Sequence, residues 1–218
     1  RTRDGRVLFA VPWLGKLLLG TTDTPRQDLP REPQPLAGEM AFILTEAARV
    51  LRRPVRHSDI RSVWVGLRPL VAAPQAADGA TRSLSREHTI VIDSAGLLTV
   101  TGGKWTTYRA MAEDVLARCH DAGLLPRRAG GQTRTRLLDG APAPGTPPVP
   151  LHQAPGLHLY GRHAAEVLAC PGADRELGLG LTEAMVRYAV RSEWAQTVED
   201  VLARRWRALF LDARCAAG

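Results

Sequence analysis

The feature that most constrains this chain is a change of periodicity across two adjacent glycines. Leu97 to Thr101 is a β-rich run, Gly102 and Gly103 follow, and from Lys104 the residues Trp105, Tyr108, Ala112, Val115, Leu116 and Cys119 share one face of a helix that should end near Gly123. Strand, glycine pair, helix is therefore the expected local order. Such a turn lets another group approach backbone N–H donors at the helix start, where the helix dipole favours an anion or developing negative charge. Glycine turns are common as plain connectors between strand and helix, so on the pair alone the connector is the favoured reading.

Composition sharpens the interest in the next residue. Of the 29 basic residues, all but Lys16 and Lys104 are arginine. Lysine is a compact point charge that approaches one acceptor closely, whereas the planar guanidinium favours two-pronged contacts. The net charge is +7, but the positive residues are spread along the chain rather than gathered in a run, so no nucleic-acid partner is expected. With 218 residues, 44% of them hydrophobic, the chain can bury a substantial core in one large or two small domains. No stretch approaches the roughly 18 consecutive apolar residues of a membrane-spanning helix. The three cysteines, Cys119, Cys170 and Cys215, are widely spaced without a CxxC pair, which argues against a disulfide framework or a zinc site and makes a reducing cytosol the default compartment. His152, His158 and His163 show no metal-ligand pattern, so no metal is expected.

Along the chain, Arg6 to Trp13 and Lys16 to Thr22 read as a β-hairpin through Leu14-Gly15. Helical spacing of Met40, Ile43, Leu44, Ala47, Val50 and Leu51 follows, stopped by Pro54. Ile60 to Val71, Thr89 to Ile92 and Leu97 to Thr101 are β-rich, with turn chemistry at Asp93 to Gly96, so a small mixed sheet is expected. Pro126 to Pro155 has the composition of a linker. Beyond it come a short helix over Arg162 to Ala169, a helix N-capped by Thr182 and a last helix striped by Val198, Val201, Leu202, Trp206 and Leu209.

Two further blocks carry arginines. In Val65-Gly66-Leu67-Arg68-Pro69-Leu70 an arginine stands between apolar neighbours, and in Leu84-Ser85-Arg86-Glu87-His88 another precedes an acid. Guanidinium forks suit phosphate oxygens, and an ion pair with Glu87 is the ordinary alternative. No GxGxxG turn after a strand is present; Gly178-Leu179-Gly180-Leu181 lacks the third glycine.

The string Gly102-Gly103-Lys104-Trp105-Thr106-Thr107-Tyr108-Arg109 resembles a signature of the FAD-dependent glycerol-3-phosphate dehydrogenase and oxidase family, and the two arginine blocks resemble others in the same order. The resemblance extends to the opening hairpin with Gly20-Thr21-Thr22-Asp23-Thr24, and to Arg187 to Glu193 and Thr197 to Arg205. It implies that Gly102, Gly103, Lys104, Trp105 and Thr106 contact the flavin, and that Arg68, Arg86 and Lys104 bind substrate, the two arginines holding its phosphate. A reduced flavin gathers negative charge on one ring edge, which a helix start and a lysine would favour. His88 is open to two roles, facing substrate or structural. Trp206 departs from the family's pattern, being bulkier than the small polar residue expected there, and Ala141 to Pro150 matches nothing familiar.

The fold implied is α+β: residues 1–125 as the C-terminal part of a mixed-sheet FAD and substrate domain of the glutathione-reductase-like or amino-acid-oxidase-like superfamily, 126–155 as linker, and 156–218 as a small all-α domain. In the family the nucleotide-gripping half and a histidine proposed as base lie upstream. The catalytic residue is thus unassigned here, Arg1 is expected to be a truncation point, and the chain alone is expected to be inactive. The implied partners are glycerol 3-phosphate, FAD and a quinone, with peripheral attachment to the inner face of a cytoplasmic membrane and room for a homo-oligomer. The residues leave quinone against oxygen undecided. A noncatalytic phosphate-ligand or protein-interaction module derived from the family is the alternative.

Overall fold

Phe9–Trp13 (β1) and Lys16–Gly20 (β2) pair antiparallel, Phe9 facing Gly20 and Trp13 facing Lys16. Leu14 and Gly15 at the tip both have positive φ, +46° and +76°, the geometry that lets a two-residue turn follow the twist of its strands. The tip is held from outside. The N–H of Leu14 donates to the Leu151 carbonyl at 2.8 Å and that of Gly15 to the His152 carbonyl at 2.9 Å, so the end of the proline-rich stretch clips the hairpin. Ala37–Ala48 forms α1, which ends at Arg49 and so leaves Val50 and Leu51 of the expected stripe outside the helix, well before Pro54. Its Phe42 ring lies 3.7 Å beneath the Arg6 guanidinium.

This is a computed structural model, and it describes residues 2–68 and 87–217. The backbone divides into two units. One takes in Arg1–Thr24, Glu32–Val65 and Leu138–Gly218; the other takes in Pro25–Arg31 and Gly66–Leu137.

In the second unit His88–Ile92 (β3) pairs antiparallel with Leu98–Gly102 (β4), bringing His88 opposite Gly102. The Asp93 side chain accepts from the N–H groups of Ala95 (2.8 Å) and Leu97 (2.9 Å), which closes the expected turn. A 3-10 turn over Trp105–Thr107 leads into Tyr108–Asp121 (α2), which ends just before Gly123 at φ +72°. The apolar stripe read along this helix is not covered by described residues: α2 buries none of its side chains, and Trp105 is 86% exposed.

The core lies in the first unit. Ala164–Leu168 (α3) follows a 3-10 stretch over Leu157–His163. Glu176–Gly178 (β5) and Leu181–Thr182 (β6) make a minute hairpin, and Glu183–Ser192 (α4) follows, with the Thr182 hydroxyl accepting from the Met185 N–H as the expected N-cap. Val167, Ala184, Met185, Tyr188, Ala189, Val201 and Trp206 form its buried cluster. Trp206 is 1% exposed, its indole N–H donates to the Leu179 carbonyl at 3.0 Å, and its ring stacks on Tyr160. Bulk at this position is therefore used: it fills the centre of the region.

Four expectations need correction. The mixed sheet is not assembled among the described residues, which pair only as three separate antiparallel hairpins, each strand bonded to its sequence neighbour. Residues 156–218 are not all-α, because β5 and β6 stand before α4. Ile60 to Arg68 is not assigned as a strand, and the backbone of Arg61 and the hydroxyl of Ser62 bond to Leu209 and Ala213 rather than to a neighbouring strand; residues 69–71 of the expected run lie outside the described residues. The last helix is broken into a π-helical turn over Asp200–Arg205, then Ala208–Leu211 (α5) and Ala213–Ala217 (α6), because Arg207 takes a left-handed φ of +67° that no helix interior tolerates.

Trp206→Phe should cost about 1–3 kcal/mol by leaving the Leu179 carbonyl unpaired, and Trp206→Ala about 3–5 kcal/mol by opening a cavity. Urea unfolding followed by far-ultraviolet circular dichroism measures both. A phenylalanine variant as stable as the parent would show that the indole N–H contributes nothing.

Candidate functional site

The glycine turn is built by β3, β4 and α2 together. Gly102 and Gly103 have φ of +77° and +85°, where an L side chain is strained. A Cβ on Gly103 would also sit 2.5 Å from the Met111 Cε and 3.2 Å from the His88 Cβ. The left-handed backbone thus favours glycine there independently of any ligand, and a side chain would in addition have to displace the end of Met111. His88 reaches onward, its Nε2 lying 3.0 Å from the Asp114 carboxylate of α2. That contact supports the structural role of the two left open for it.

Beyond the glycines the chain turns outward. Lys104 is extended and exposed, and its carbonyl accepts from both the N–H and the hydroxyl of Thr107, each at 3.0 Å, which fixes the 3-10 turn. Its ammonium makes no ion pair among the described residues. Trp105 stacks on Tyr108 with centroids 5.4 Å apart and planes 26° apart, and Thr106 lies exposed between them. No side chain caps the start of α2 and no acid stands in its first turn; the Tyr108 N–H there donates to the Trp105 carbonyl and the Thr107 N–H to the Lys104 carbonyl. The arrangement can present one positive charge beside a helix start whose dipole favours an electron-rich group.

Arg109, the last residue of the string, is engaged within the fold. It pairs with Glu113 one turn along α2. A hydrogen bond from the Thr133 hydroxyl at 3.0 Å, then the Arg109 charge, hold the Glu113 carboxyl below its usual range.

Of the residues singled out from sequence, the contiguous set Gly102 to Thr106 is gathered into this one turn. Arg68 lies exposed in the same unit, at the end of the extended stretch. Arg86 lies outside the described residues. Met111 and Asp114 were not singled out, since a methionine and an aspartate on a helix carry no local signal of what they touch. Among the described residues no cluster of three His, Cys, Asp or Glu could hold a metal, and no helix is long and apolar enough to cross a membrane. A cavity of about 470 Å³ in the first unit is walled mainly by aliphatic residues such as Leu181, Val186 and Val201, with the free thiol of Cys215 in its lining and no carboxylate, histidine, lysine or arginine.

Replacing Gly103 by alanine should cost about 1–2 kcal/mol from the left-handed backbone alone, with the Met111 clash in addition. Hydrogen exchange of β3, β4 and α2 should then accelerate while the Trp206 region keeps its protection. Unchanged protection around the turn would contradict the packing argument.

Known proteins share these elements in this order. The family described as FAD dependent oxidoreductase matches residues 1–109, and the family described as the C-terminal domain of alpha-glycerophosphate oxidase matches residues 151–218. The mitochondrial glycerol-3-phosphate dehydrogenase SDP6 of Arabidopsis thaliana is 35% identical over 250 residues, an alignment covering 100% of this chain and 39% of that protein. The mitochondrial glycerol-3-phosphate dehydrogenase of Schizosaccharomyces pombe is 34% identical, covering 99% and 40%. That of Homo sapiens is 37% identical, covering 99% and 32%. The chain therefore spans about a third to two fifths of the length of these relatives. With both domain families matched and this identity along its whole length, the chain belongs to the glycerol-3-phosphate dehydrogenase family of FAD dependent oxidoreductases.

Proposed function

We propose that the protein carrying this chain oxidises sn-glycerol 3-phosphate to dihydroxyacetone phosphate, a hydride leaving C2 for FAD and the electrons passing to a quinone. The observation that carries the proposal is the exposed Gly102-Gly103-Lys104 turn at the uncapped start of α2, in a chain of this family. When bound, FAD supplies the hydride acceptor. The residues present fit such a group: Lys104 is exposed, the first turn of α2 holds no acid, and the Trp105 ring is open to a partner. Lys104 and the dipole of α2 would favour the negative charge that reduction brings, and Thr107 would keep Lys104 in place through its carbonyl. Arg68 and Arg86 would orient the substrate by its phosphate so that C2 faces the turn.

In this reading residues 1–125 belong to the FAD and substrate domain, of the glutathione-reductase-like or amino-acid-oxidase-like superfamily. Residues 126–155 link it to the C-terminal domain at 156–218, a division supported by family matches that stop at 109 and resume at 151. No GxGxxG turn occurs in this sequence, so the dinucleotide grip would come from residues outside it. Attachment at a membrane surface and homo-oligomerisation belong to the same proposal, as does quinone rather than oxygen as acceptor.

Two measurements test it. Purified alone, the 218-residue chain should carry no stoichiometric flavin absorbance; yellow protein with one FAD per chain would overturn that part. In the full-length enzyme, assayed with an artificial electron acceptor, Arg68→Ala and Arg86→Ala should each raise KM for glycerol 3-phosphate about ten- to hundredfold. Lys104→Ala should lower kcat about a hundredfold. Wild-type turnover in all three variants would sink the site assignment.

A further inference from the structure

The glycine turn is closed on itself from behind. The chain leaves β4 at Gly102, passes through Gly103 and Lys104 into α2, and two side chains of α2 reach back. Met111 lies against Gly103, in the space a side chain there would take. Asp114, about one helical turn further and so on the same face of α2, stands 3.0 Å from Nε2 of His88. His88 is the residue paired with Gly102 across β3 and β4, and its Cβ lies 3.2 Å from the point where a Cβ on Gly103 would stand. His88 thus shuts the covalent path from Gly102 to Asp114 into a loop, all of it inside one compact unit.

The closure has two properties that bear on the site. An ionised carboxylate only accepts, so Asp114 places the imidazole proton on Nε2 and fixes the ring's orientation. Apolar burial does not aim the helix, because α2 buries none of its side chains among the described residues. The direction in which its positive end points is therefore held by the ties behind the turn. The Asp114 side chain is 60% exposed, and a pair so open to solvent contributes little to global stability. Its loss should leave the fold standing and let the start of α2, with Lys104, drift from its place.

We propose that Asp114 is a positioning residue which, through His88, holds Lys104 and the start of α2 where they favour the reduced flavin, so that this pair sets the reduction potential of bound FAD. This rests on the reading of the Gly102-Gly103-Lys104 turn as a flavin contact. Asp114 acts on the turn only by way of His88, and its effect is confined to the negative charge that reduction brings.

The test uses the full-length, FAD-loaded enzyme with Asp114→Ala, Asp114→Asn, His88→Ala, Lys104→Ala and the Asp114→Ala/Lys104→Ala double variant. The flavin midpoint potential is measured by anaerobic dye titration, beside FAD content and the kcat and KM for glycerol 3-phosphate. Asp114→Ala and His88→Ala should each make reduction about tenfold less favourable, a midpoint about 30 mV more negative for the two-electron couple. They should lower kcat about tenfold, with KM and FAD content within about twofold of wild type. Asp114→Asn, whose amide oxygen still accepts from Nε2, should recover most of the potential. In the Lys104→Ala background, Asp114→Ala should add little. The proposal is overturned if Asp114→Ala and His88→Ala keep the wild-type potential while Lys104→Ala shifts it. It is equally overturned if Asp114→Ala lowers FAD content and kcat in step while the retained flavin keeps its potential, or if it adds its full effect to that of Lys104→Ala. Lys104→Ala with a wild-type potential would instead refute the reading of the turn as a flavin contact, and the inference with it, a result seen without touching Asp114 or His88.

Discussion

The bond from the Trp206 indole to the Leu179 carbonyl sits at the centre of the one sizeable cluster of buried side chains among the described residues. A buried indole N–H without an acceptor would be costly, so the two-glycine turn around Leu179 is shaped to supply one. Gly180 makes room: a Cβ there would meet the Pro155 carbonyl at 3.0 Å and the Trp206 ring at 3.5 Å. The peripheral segments of this unit lean on that cluster through a handful of polar ties. Arg61 to Trp64 is bound to α5 and α6, and the β1–β2 tip is bound to Leu151 and His152.

The glycine turn follows a different logic. Among the described residues β3, β4 and α2 bury no side chain fully; the turn is kept by the strand pair, the Met111 side chain and the contact between His88 and Asp114. Gly103 is favoured by its left-handed backbone, while Lys104 is left exposed. Rigidity on the inner side and openness on the outer side suit a surface that meets a planar cofactor, since a preorganised donor need not reorganise as charge develops.

Local signals were legible wherever structure is decided within a few residues. Leu14-Gly15, Asp93 to Gly96 and Thr182 each act through their own backbone or the next turn, and the hairpins and the cap fell where those residues put them. Long-range choices were not legible. Ile60 to Arg68 has strand-like residues, yet whether such a run pairs depends on which backbone lies beside it, and here that backbone is a helix junction. The apolar stripe from Val198 to Leu209 fits one helix, yet Arg207 breaks it. Of the site, the turn was readable because its residues are contiguous. The contacts of Met111 with Gly103 and of Asp114 with His88 were not, because each acts across distance in sequence.

The clip between Leu14-Gly15 and Leu151-His152 has a bearing on how such chains can diverge in length. Residues 126–150 contain turns but no helix or strand, and lengthening a flexible loop costs only logarithmically in closure entropy. The free part is shorter than the composition suggests: the Thr133 hydroxyl bonds the Glu113 carboxylate, the Gly140 carbonyl accepts from the Arg162 N–H at 3.2 Å, and from Leu151 onward the carbonyls satisfy the two N–H groups of the hairpin tip. Tolerance to insertion should therefore be confined to the few residues between Pro142 and Pro150, bounded on both sides by committed backbone in a stretch of uniform composition.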